Sequence, residues 1–453
     1  MIPIVTPAEM GEIDAAAPEP VEVLIGRAGA ATATVALAML GGGYGRRVAV
    51  LAGPGNNGAD GRDAARRLEQ RGVRVQVHDL DELPDHLDGV DLVVDAVLGT
   101  GARPGFVAPA VDPEIPVLAV DLPSGLDGLT GEVGDGVLVA DRTVTFAALK
   151  PGLVLEPGRS WAGRTEVADI GLDTSSARAW LLTDDDVARV LPQRAATAHK
   201  WKHAVWIIAG SPGMTGAAHL TARGAQRAGA GYVRLSSPGV GDDPGRPVEA
   251  VGVELADRGW AARVLDDLER FSSLVVGPGL GRGEVTLAEA ARVIAEAPIP
   301  VLVDGDGLAA LGDDPGSALA RRSAATVLTP HDGEFARLAG GRPGADRFES
   351  ARSLAAATGA IVVLKGPVTL VAHPDGEVLA SASGDARLAT AGTGDVLAGV
   401  IGALMASGVE PFTAAAVGAH LHGLAGALGS GHGLVAGDLP DRLPAVFDRL
   451  IQE

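Results

Sequence analysis

Short runs rich in Val, Ile and Leu recur along this chain, each closed by a turn residue and followed by a stretch of helical composition. In the first half these are RVAVLAG (47–53), VRVQV (73–77), DLVVDAV (91–97) and PVLAVDL (116–122), with a helical segment such as 60–71 between two of them. In the second half they are AVWIIAG (204–210), GYVRLSS (231–237), SLVVGPG (273–279), PVLVDGDG (300–307), ATVLTPH (325–331) and AIVVLKG (360–366). A strand that is apolar on both faces belongs inside a parallel sheet, and strands alternating with helices are the mark of βαβ units. The alternation stops between 157 and 200, where the chain is polar and carries an acidic run, Asp184–Asp186, and then resumes. The expected architecture is therefore α/β, with two three-layer domains meeting between residues 175 and 195 and assigned as 1–185 and 186–453. A length of 453 residues also exceeds what one core normally serves.

Composition narrows the function. Net charge is −20 with no basic cluster, which argues against nucleic acid and anionic membrane as partners. Cysteine is absent, so disulfides and thiolate metal sites are excluded, and a cytoplasmic location is compatible. No signal peptide is visible in MIPIVTPAEM, whose Thr6–Glu9 reads as a capping box with Pro7 at the first helical position. The uncharged stretches 28–45 and 411–437 are interrupted by Gly, Thr or His, and read as buried helices rather than membrane spans. Only four of the 37 basic residues are lysine (Lys150, Lys200, Lys202 and Lys365), which singles out those positions.

Carboxylates and glycines gather at the ends of the first-half strands. GPGNNGADG follows the first strand, Asp95 ends another before a second glycine loop (99–105), and Asp121 ends a third with Ser124 close behind. Gly-rich turns at the carboxyl ends of parallel strands bind phosphates, whereas amide, carboxylate and hydroxyl oxygens suit a hard cation. Neither a dinucleotide fingerprint nor a P-loop is present. The bland alternative makes Asn56, Asn57 and Asp60 turn and cap residues.

In the second half, ATAGTGDVLAGVIGALM (389–405) joins a glycine turn to an apolar helix expected to begin at about Asp395. The turn 391–394 would present main-chain N–H groups to an anion, and Asp395 would accept a proton from a substrate hydroxyl. The alternative reading is a plain helix cap.

GPGNNGADG, DAVLGTG and VDLPSGLDG resemble the NAD(P)H-hydrate epimerase family, whose usual first motif is N-N-G-G-D. The resemblance implies that hydrated nicotinamide nucleotide is held by Asn56, Asn57, Gly58, Ala59, Asp60 and Asp121, and by the loop Gly99, Thr100, Gly101, Ala102, Arg103, Pro104 and Gly105. It implies K+ ligands Asn57, Asp95 and Ser124, while TFAALKPG (145–152) brings Lys150 near the site. Asp121 is the candidate acid/base. Ala59 stands where the family usually has Gly, a small change unless φ there is positive.

GTGD resembles the hallmark of the ribokinase-like fold, where the Asp is the general base. AGSPGMTGAAHL, VVGPGLGR, VLTPHDGEFARL, VVLKGPVT and ATAGTGDVLAG follow the order and spacing of the NAD(P)H-hydrate dehydratase family over 199–450. The whole chain resembles the bifunctional nicotinamide-nucleotide hydrate repair family, with a Rossmann-like first domain and a ribokinase-like second. The resemblance implies hydrate contacts at Ala217, Gly279, His331 and Asp395, and ADP contacts at Lys365, Gly366, Pro367, Val368, Thr369 and Gly394. It further implies Mg2+, a bacterial preference for ADP over ATP, and homo-oligomerisation. Two departures are DGDGL (304–308) for D-A-D-A-L and HKWKH (199–203) for H-K-G, and no role follows for Lys200 or Lys202. From composition alone His331, His420, His422 and His432 read as structural or surface residues. The rival functions are a small-molecule kinase on the same fold and a non-catalytic binding protein in the N-terminal half.

Overall fold

A computed structural model describes residues 1–100, 106–193 and 196–452. Contacts divide the chain into two compact units, Ile2–Ala179 and Trp180–Glu453, with Met1 associated with the second.

The first unit begins with α1 (Pro7–Ala15), capped by the reciprocal Thr6–Glu9 box, and α2 (Val21–Leu40). Then come β1 (Arg47–Ala52), α3 (Asn56–Glu69), β2 (Arg74–Asp79), β3 (Leu92–Ala96), β4 (Val117–Val120), β5 (Arg142–Phe146) and β6 (Arg164–Ala168). These strands form one parallel sheet in the order β2-β1-β3-β4-β5-β6. The chain leaves β1 toward one edge and returns toward the other, so the switch point, where open α/β sheets bind ligands, lies between β1 and β3. Among the described residues, α2 is the one helix long and apolar enough to cross a membrane. Leu24, Ala28, Thr32, Ala33, Val35, Ala36 and Leu40 of this helix are buried within the unit, and it packs on α3.

The helix read from the sequence as 60–71 starts earlier, at Asn56. Gly55 is its N-cap and no side chain caps it, so Asn56 and Asn57 belong to the first turn and the capping reading fails. Main-chain crowding explains the glycines before and within this turn. A Cβ on Gly53 would sit 1.9 Å from the Val97 carbonyl, and one on Gly58 would sit 1.8 Å from the Gly53 carbonyl. Ala59 has no such conflict: it lies inside α3, and positive φ among non-glycine residues occurs only at Asp121 and Ala147 among the described residues.

The second unit contains β7 (Ala204–Ile208), α4 (Thr215–Arg227), β8 (Tyr232–Ser236), β9 (Val251–Gly252), β10 (Ser273–Val276), β11 (Val301–Val303) and β12 (Thr326–Leu328). It continues with α5 (Asp332–Ala339), β13 (Ile361–Leu364), β14 (Thr369–Ala372), β15 (Val378–Ser381), α6 (Thr393–Ala406) and α7 (Pro411–Ala427). Sheet order is β15-β14-β13-β12-β11-β10-β7-β8-β9, parallel from β13 through β9 and antiparallel at β13/β14 and β14/β15. Its switch point lies between β7 and β10.

Helix α6 is buried along nearly its whole length, from Val396 to Ala406. It crosses α4 closely enough that a Cβ on Gly399 would meet the Thr221 carbonyl at 2.0 Å, and one on Gly224 the Val396 carbonyl at 2.5 Å. Small residues therefore set the approach of these two helices, and the apolar sequence after Asp395 is core.

Candidate active sites

The first site is a cavity of about 590 Å³ over the β1/β3 switch point. Leu24, Ile25 and Ala28 of α2 supply apolar wall, while Asn56, Asn57, Asp60, Gly99, Thr100, Asp121 and Lys150 supply the polar one. At the end of β3, Asp95 is fully buried and accepts from the Ser124 hydroxyl at 2.5 Å and the Ser124 main-chain N–H at 2.8 Å. Burial nevertheless raises its pKa above the usual carboxylate value. The Leu98 N–H donates in turn to Ser124 Oγ at 2.8 Å, tying the residue just before Gly99 to the same knot. Beside it, both side-chain atoms of Asn57, Oδ1 and Nδ2, are buried without a partner among the described residues. A buried amide with neither bond made is costly, by about 1–3 kcal/mol. The site thus holds oxygen donors and a fully buried carboxylate whose charge no neighbouring cation among the described residues balances.

Asp121 has φ +65°, a left-handed backbone rare outside glycine. Its carboxylate is paired with Lys150 at 2.5 Å and accepts from the Thr145 hydroxyl at 2.9 Å, while Lys150 Nζ also donates to Thr145 Oγ1 at 2.8 Å. Lys150 is only 1% exposed, so this pair is effectively internal. Among the described residues, neither Asp60 nor Asp14 is paired with a cation in this way. Burial first, and then the charges of Asp121, Asp63 and Asp14, push Asp60 up to about 8. Burial likewise raises Asp14, with Lys150 opposing and Asp121 reinforcing. Asp14 reaches the cavity from α1, and its sequence neighbourhood carries no sign of that beyond helical patterning. Gly101, Ala102, Arg103, Pro104 and Gly105 lie outside the described residues.

The second site lies along the carboxyl edge of the larger sheet. At its switch point Gly279, with φ +60°, comes so near α4 that a Cβ would stand 2.8 Å from the Ala217 methyl. After β11, Asp304 accepts from Thr329 Oγ1 at 2.6 Å and from Lys365 Nζ at 2.9 Å, and Glu334 lies 3.7 Å from the same ammonium. Asp306 accepts from the Gly281 N–H at 2.9 Å and pairs with Arg282. His331 caps α5: its Nδ1 accepts from the Gly333 N–H at 2.9 Å, while its Nε2 lies 3.5 Å from the Glu334 carboxylate. Gly366, Pro367, Val368 and Thr369 join β13 to β14, and a Cβ on Gly366 would touch Arg347, which pairs with Asp332.

Helix α6 begins at Thr393, two residues before the expected start, because Gly392 with φ +92° is its N-cap. Asp395 is thus the third helical residue and does not cap the helix. The N–H groups of Gly394 and Asp395 have no main-chain acceptor among the described residues, as the first turn of a helix requires. A Cβ on Gly394 would stand 3.5 Å from Lys365 Nζ, so amides, ammonium and carboxylate converge. Burial, reinforced by Asp304 and opposed by Lys365, raises Asp395 to about 7. Burial works against the charge on Lys365, but Asp304, Glu334 and Asp395 outweigh it and hold the ammonium above the usual lysine value. A carboxylate poised near neutrality beside an anion hole and a fixed ammonium is equipped to deprotonate a hydroxyl during group transfer.

The NAD(P)H-hydrate dehydratase family matches residues 205–447, and the YjeF-related protein N-terminus family matches 21–88 and 78–152. A bifunctional NAD(P)H-hydrate repair enzyme of Moorella thermoacetica is 37% identical over 99% of this chain and 97% of its own. The chain belongs to the bifunctional NAD(P)H-hydrate repair enzyme family. The Mycobacterium tuberculosis member is 39% identical over 84% of this chain and 82% of its own. The crystal structure of an ADP/ATP-dependent NAD(P)H-hydrate dehydratase from Bacillus subtilis, co-crystallised with ATP/Mg2+, covers 59% of this chain and 97% of its own at 32% identity and TM-score 0.51. Within this family, spacing in the sequence missed Asp14, Thr145, Asp304 and Glu334. Asp14 reaches its cavity from α1, Thr145 and Asp304 bond to residues far away in the chain, and the only local trace of Glu334 is its capping box with His331.

Proposed function

We propose that this chain repairs hydrated nicotinamide nucleotides with two active sites. The first interconverts the R and S epimers of NADHX and NADPHX; the second dehydrates the S form with ADP as phosphoryl donor, releasing AMP and phosphate. The observation that carries the second assignment is Asp395 in the first turn of α6, with a pKa near 7, beside free amides and Lys365.

Hydroxide is a poor leaving group and phosphate a good one. Asp395 accepts the proton of the ring hydroxyl as its oxygen attacks the β-phosphorus of ADP, and the bond to AMP breaks. The Gly394 and Asp395 amides stabilise the transferring phosphoryl without covalent chemistry, and Lys365 fixes charge at its side. The ring-nitrogen lone pair then expels phosphate, and loss of a proton from the adjacent carbon restores the double bond. Mg2+, which accompanies ATP in the co-crystal of the Bacillus relative, would neutralise phosphate charge. His331, Ala217 and Gly279 are the residues proposed to contact the hydrate.

In the first site Asn57, Asp95 and Ser124 fit a K+ ion, since the orphaned Asn57 amide and the uncompensated Asp95 carboxylate are what an oxygen-ligated cation would satisfy. The ion would fix the two glycine loops. Asp121 and Asp60 line the cavity where the epimeric carbon would sit, and both are candidates for moving its protons.

The test is recovery of absorbance at 340 nm from an epimer mixture of hydrated NADH with ADP and Mg2+. Complete recovery with stoichiometric AMP and phosphate is expected. Recovery that stops at one epimer's fraction refutes the epimerase assignment, and consumption of nucleotide on another alcohol without NADH formation refutes the dehydratase.

A further inference from the structure

Two arginines stand at the carboxyl edge of the larger sheet, and they use their guanidinium groups differently. Arg347 is engaged through both Nη atoms, which donate to the Asp332 carboxylate at 3.1 and 2.8 Å. Arg282 is held through Nε, which donates to Asp306 Oδ1 at 2.7 Å. Neither of its Nη atoms has a partner among the described residues, and half of the side chain is exposed. Asp306 Oδ2 accepts from the Gly281 N–H at 2.9 Å, so one carboxylate fixes both the arginine and the loop that carries it. Arg282 follows β10 and Asp306 follows β11, so the bond joins the ends of neighbouring strands. A surface ion pair adds little to stability, but this one sets a direction. A guanidinium tethered by Nε keeps its outer pair of Nη donors free, the fork that takes two oxygens of one phosphate.

The loop before Arg282 is tied to the hydrate side of the site. Its φ angles are +125° at Gly277, +60° at Gly279 and +83° at Gly281. The Gly210 N–H donates to the Pro278 carbonyl at 2.7 Å, and the Ser211 hydroxyl donates to the Gly279 carbonyl at 2.9 Å. These bonds press Gly279 toward Ala217, the other small residue proposed to contact the hydrate. Arg282 is three residues further on, at most roughly 11 Å of chain. In a hydrated dinucleotide the first phosphate hangs one ribose away from the nicotinamide ring. Charge gives a second reason. Asp304, Asp306, Asp332, Glu334 and Asp395 make this edge acidic, yet two polyphosphates must enter it. Lys365 is drawn between Asp304 and Glu334, and Arg347 is committed to Asp332, whereas Arg282 keeps its fork.

We propose that Arg282 binds the pyrophosphate of the hydrated dinucleotide in the second site, with Asp306 as its positioning residue. Arg282 takes no part in proton transfer; it gives the second site a preference for the dinucleotide over the bare hydrated riboside. This inference rests on the dehydratase reading of the second site. The phosphates of ADP are the other source of the same chemistry, and the test separates the two.

The test uses the full chain with Mg2+, ADP and the S epimer of hydrated NADH, followed at 340 nm. Arg282→Gln is expected to raise KM for the hydrate about tenfold or more, with KM for ADP within about threefold and Tm unchanged. Arg282→Lys keeps the charge without the fork and should fall between the two. The hydrate of reduced nicotinamide riboside carries no phosphate, so wild type and Arg282→Gln should process it equally. Asp306→Ala should raise KM for hydrated NADH by a smaller factor and spare the riboside, whereas a purely structural Asp306 would affect both substrates. A wild-type KM for hydrated NADH in Arg282→Gln overturns the proposal. So does a rise in KM for ADP alone, which assigns the arginine to the nucleotide, or an equal loss on the riboside hydrate. Calorimetric titration with hydrated NADH and no nucleotide needs no turnover, and the first unit contributes equally in both proteins. Arg282→Gln should weaken the second unit's binding by the same factor, and unchanged binding counts against the proposal. An inactive wild type overturns the dehydratase reading instead, and the titration still decides the role of Arg282.

Discussion

Both units place an aspartate and a lysine at the carboxyl edge of a parallel sheet, yet they distribute charge in opposite ways. In the first, Lys150 is joined to Asp121, the candidate acid/base, and Asp60, with no cation paired to it among the described residues, is raised to about 8. In the second, Lys365 is bonded to Asp304, and the candidate base Asp395 is left to rise to about 7. The lesson concerns neighbours more than residue type. A lysine bonded to a carboxylate favours its ionised form and ties it in place, whereas a lysine given to a bystander leaves the carboxylate basic. By that logic the first unit has an ion pair that shapes the pocket and a separate carboxylate fit to exchange protons.

The comparison can be broken most severely at Asp395. Asp395→Asn is expected to lower ADP-dependent dehydration by roughly 10²–10⁴-fold while epimer interconversion proceeds as in wild type; NADH recovery at 340 nm and NMR of the epimers measure the two. Dehydration at wild-type rate would remove the base from the argument.

Stability gives the next contrast, because the same substitution should act with opposite sign in the two units. Asp121→Asn leaves the buried Lys150 ammonium unpaired, a change worth about 3–5 kcal/mol for buried pairs, so the first unit's thermal transition should drop sharply. Asp395→Asn should instead raise the second unit's transition at pH 8, by on the order of 1 kcal/mol. The sign follows from the raised pKa. Ionised Asp395 disfavours the folded state fully above about 7, and the effect fades as pH falls toward the ordinary carboxylate value of 3.8. The gain from Asp395→Asn should therefore vanish near pH 4. Calorimetry of both variants across pH tests the pair, and the same sign for both would undo the contrast.

Activity against pH sharpens it further. Dehydration should fall about tenfold per pH unit below roughly 7, as Asp395 takes up the proton that blocks its role. If Asp60 exchanges protons in the first site, epimerisation should instead show a limb near 8, which Asp60→Asn abolishes. Matching profiles for the two activities would argue against separate carboxylates.

The smallest effect is expected at Ala59. Since it lies in the first turn of α3 with helical backbone, Ala59→Gly should cost at most about 1 kcal/mol and leave epimerisation unchanged. A large gain in activity would mean that the usual glycine serves ligand approach.

How much of this was legible beforehand depends on whether the signal was local. The alternation of apolar runs and helical segments dictated two largely parallel α/β sheets, because a strand buried on both faces must be apolar throughout. Asn57, Asp95 and Asp121 could be placed at strand ends, and Gly394 and Asp395 at a helix start, since turn chemistry is written in adjacent residues. Tertiary structure alone decided the rest. Helix α3 absorbs Asn56 and Asn57, and α6 starts at Thr393, because glycines with no room for a Cβ let those turns close where propensity would not begin them. Which carboxylate each lysine takes and how Asp14, Asp304 and Glu334 enter the sites depend on approaches between segments far apart in the chain. Pairing and burial set the proton affinities of these groups, and both exist only once the sheets and helices have packed.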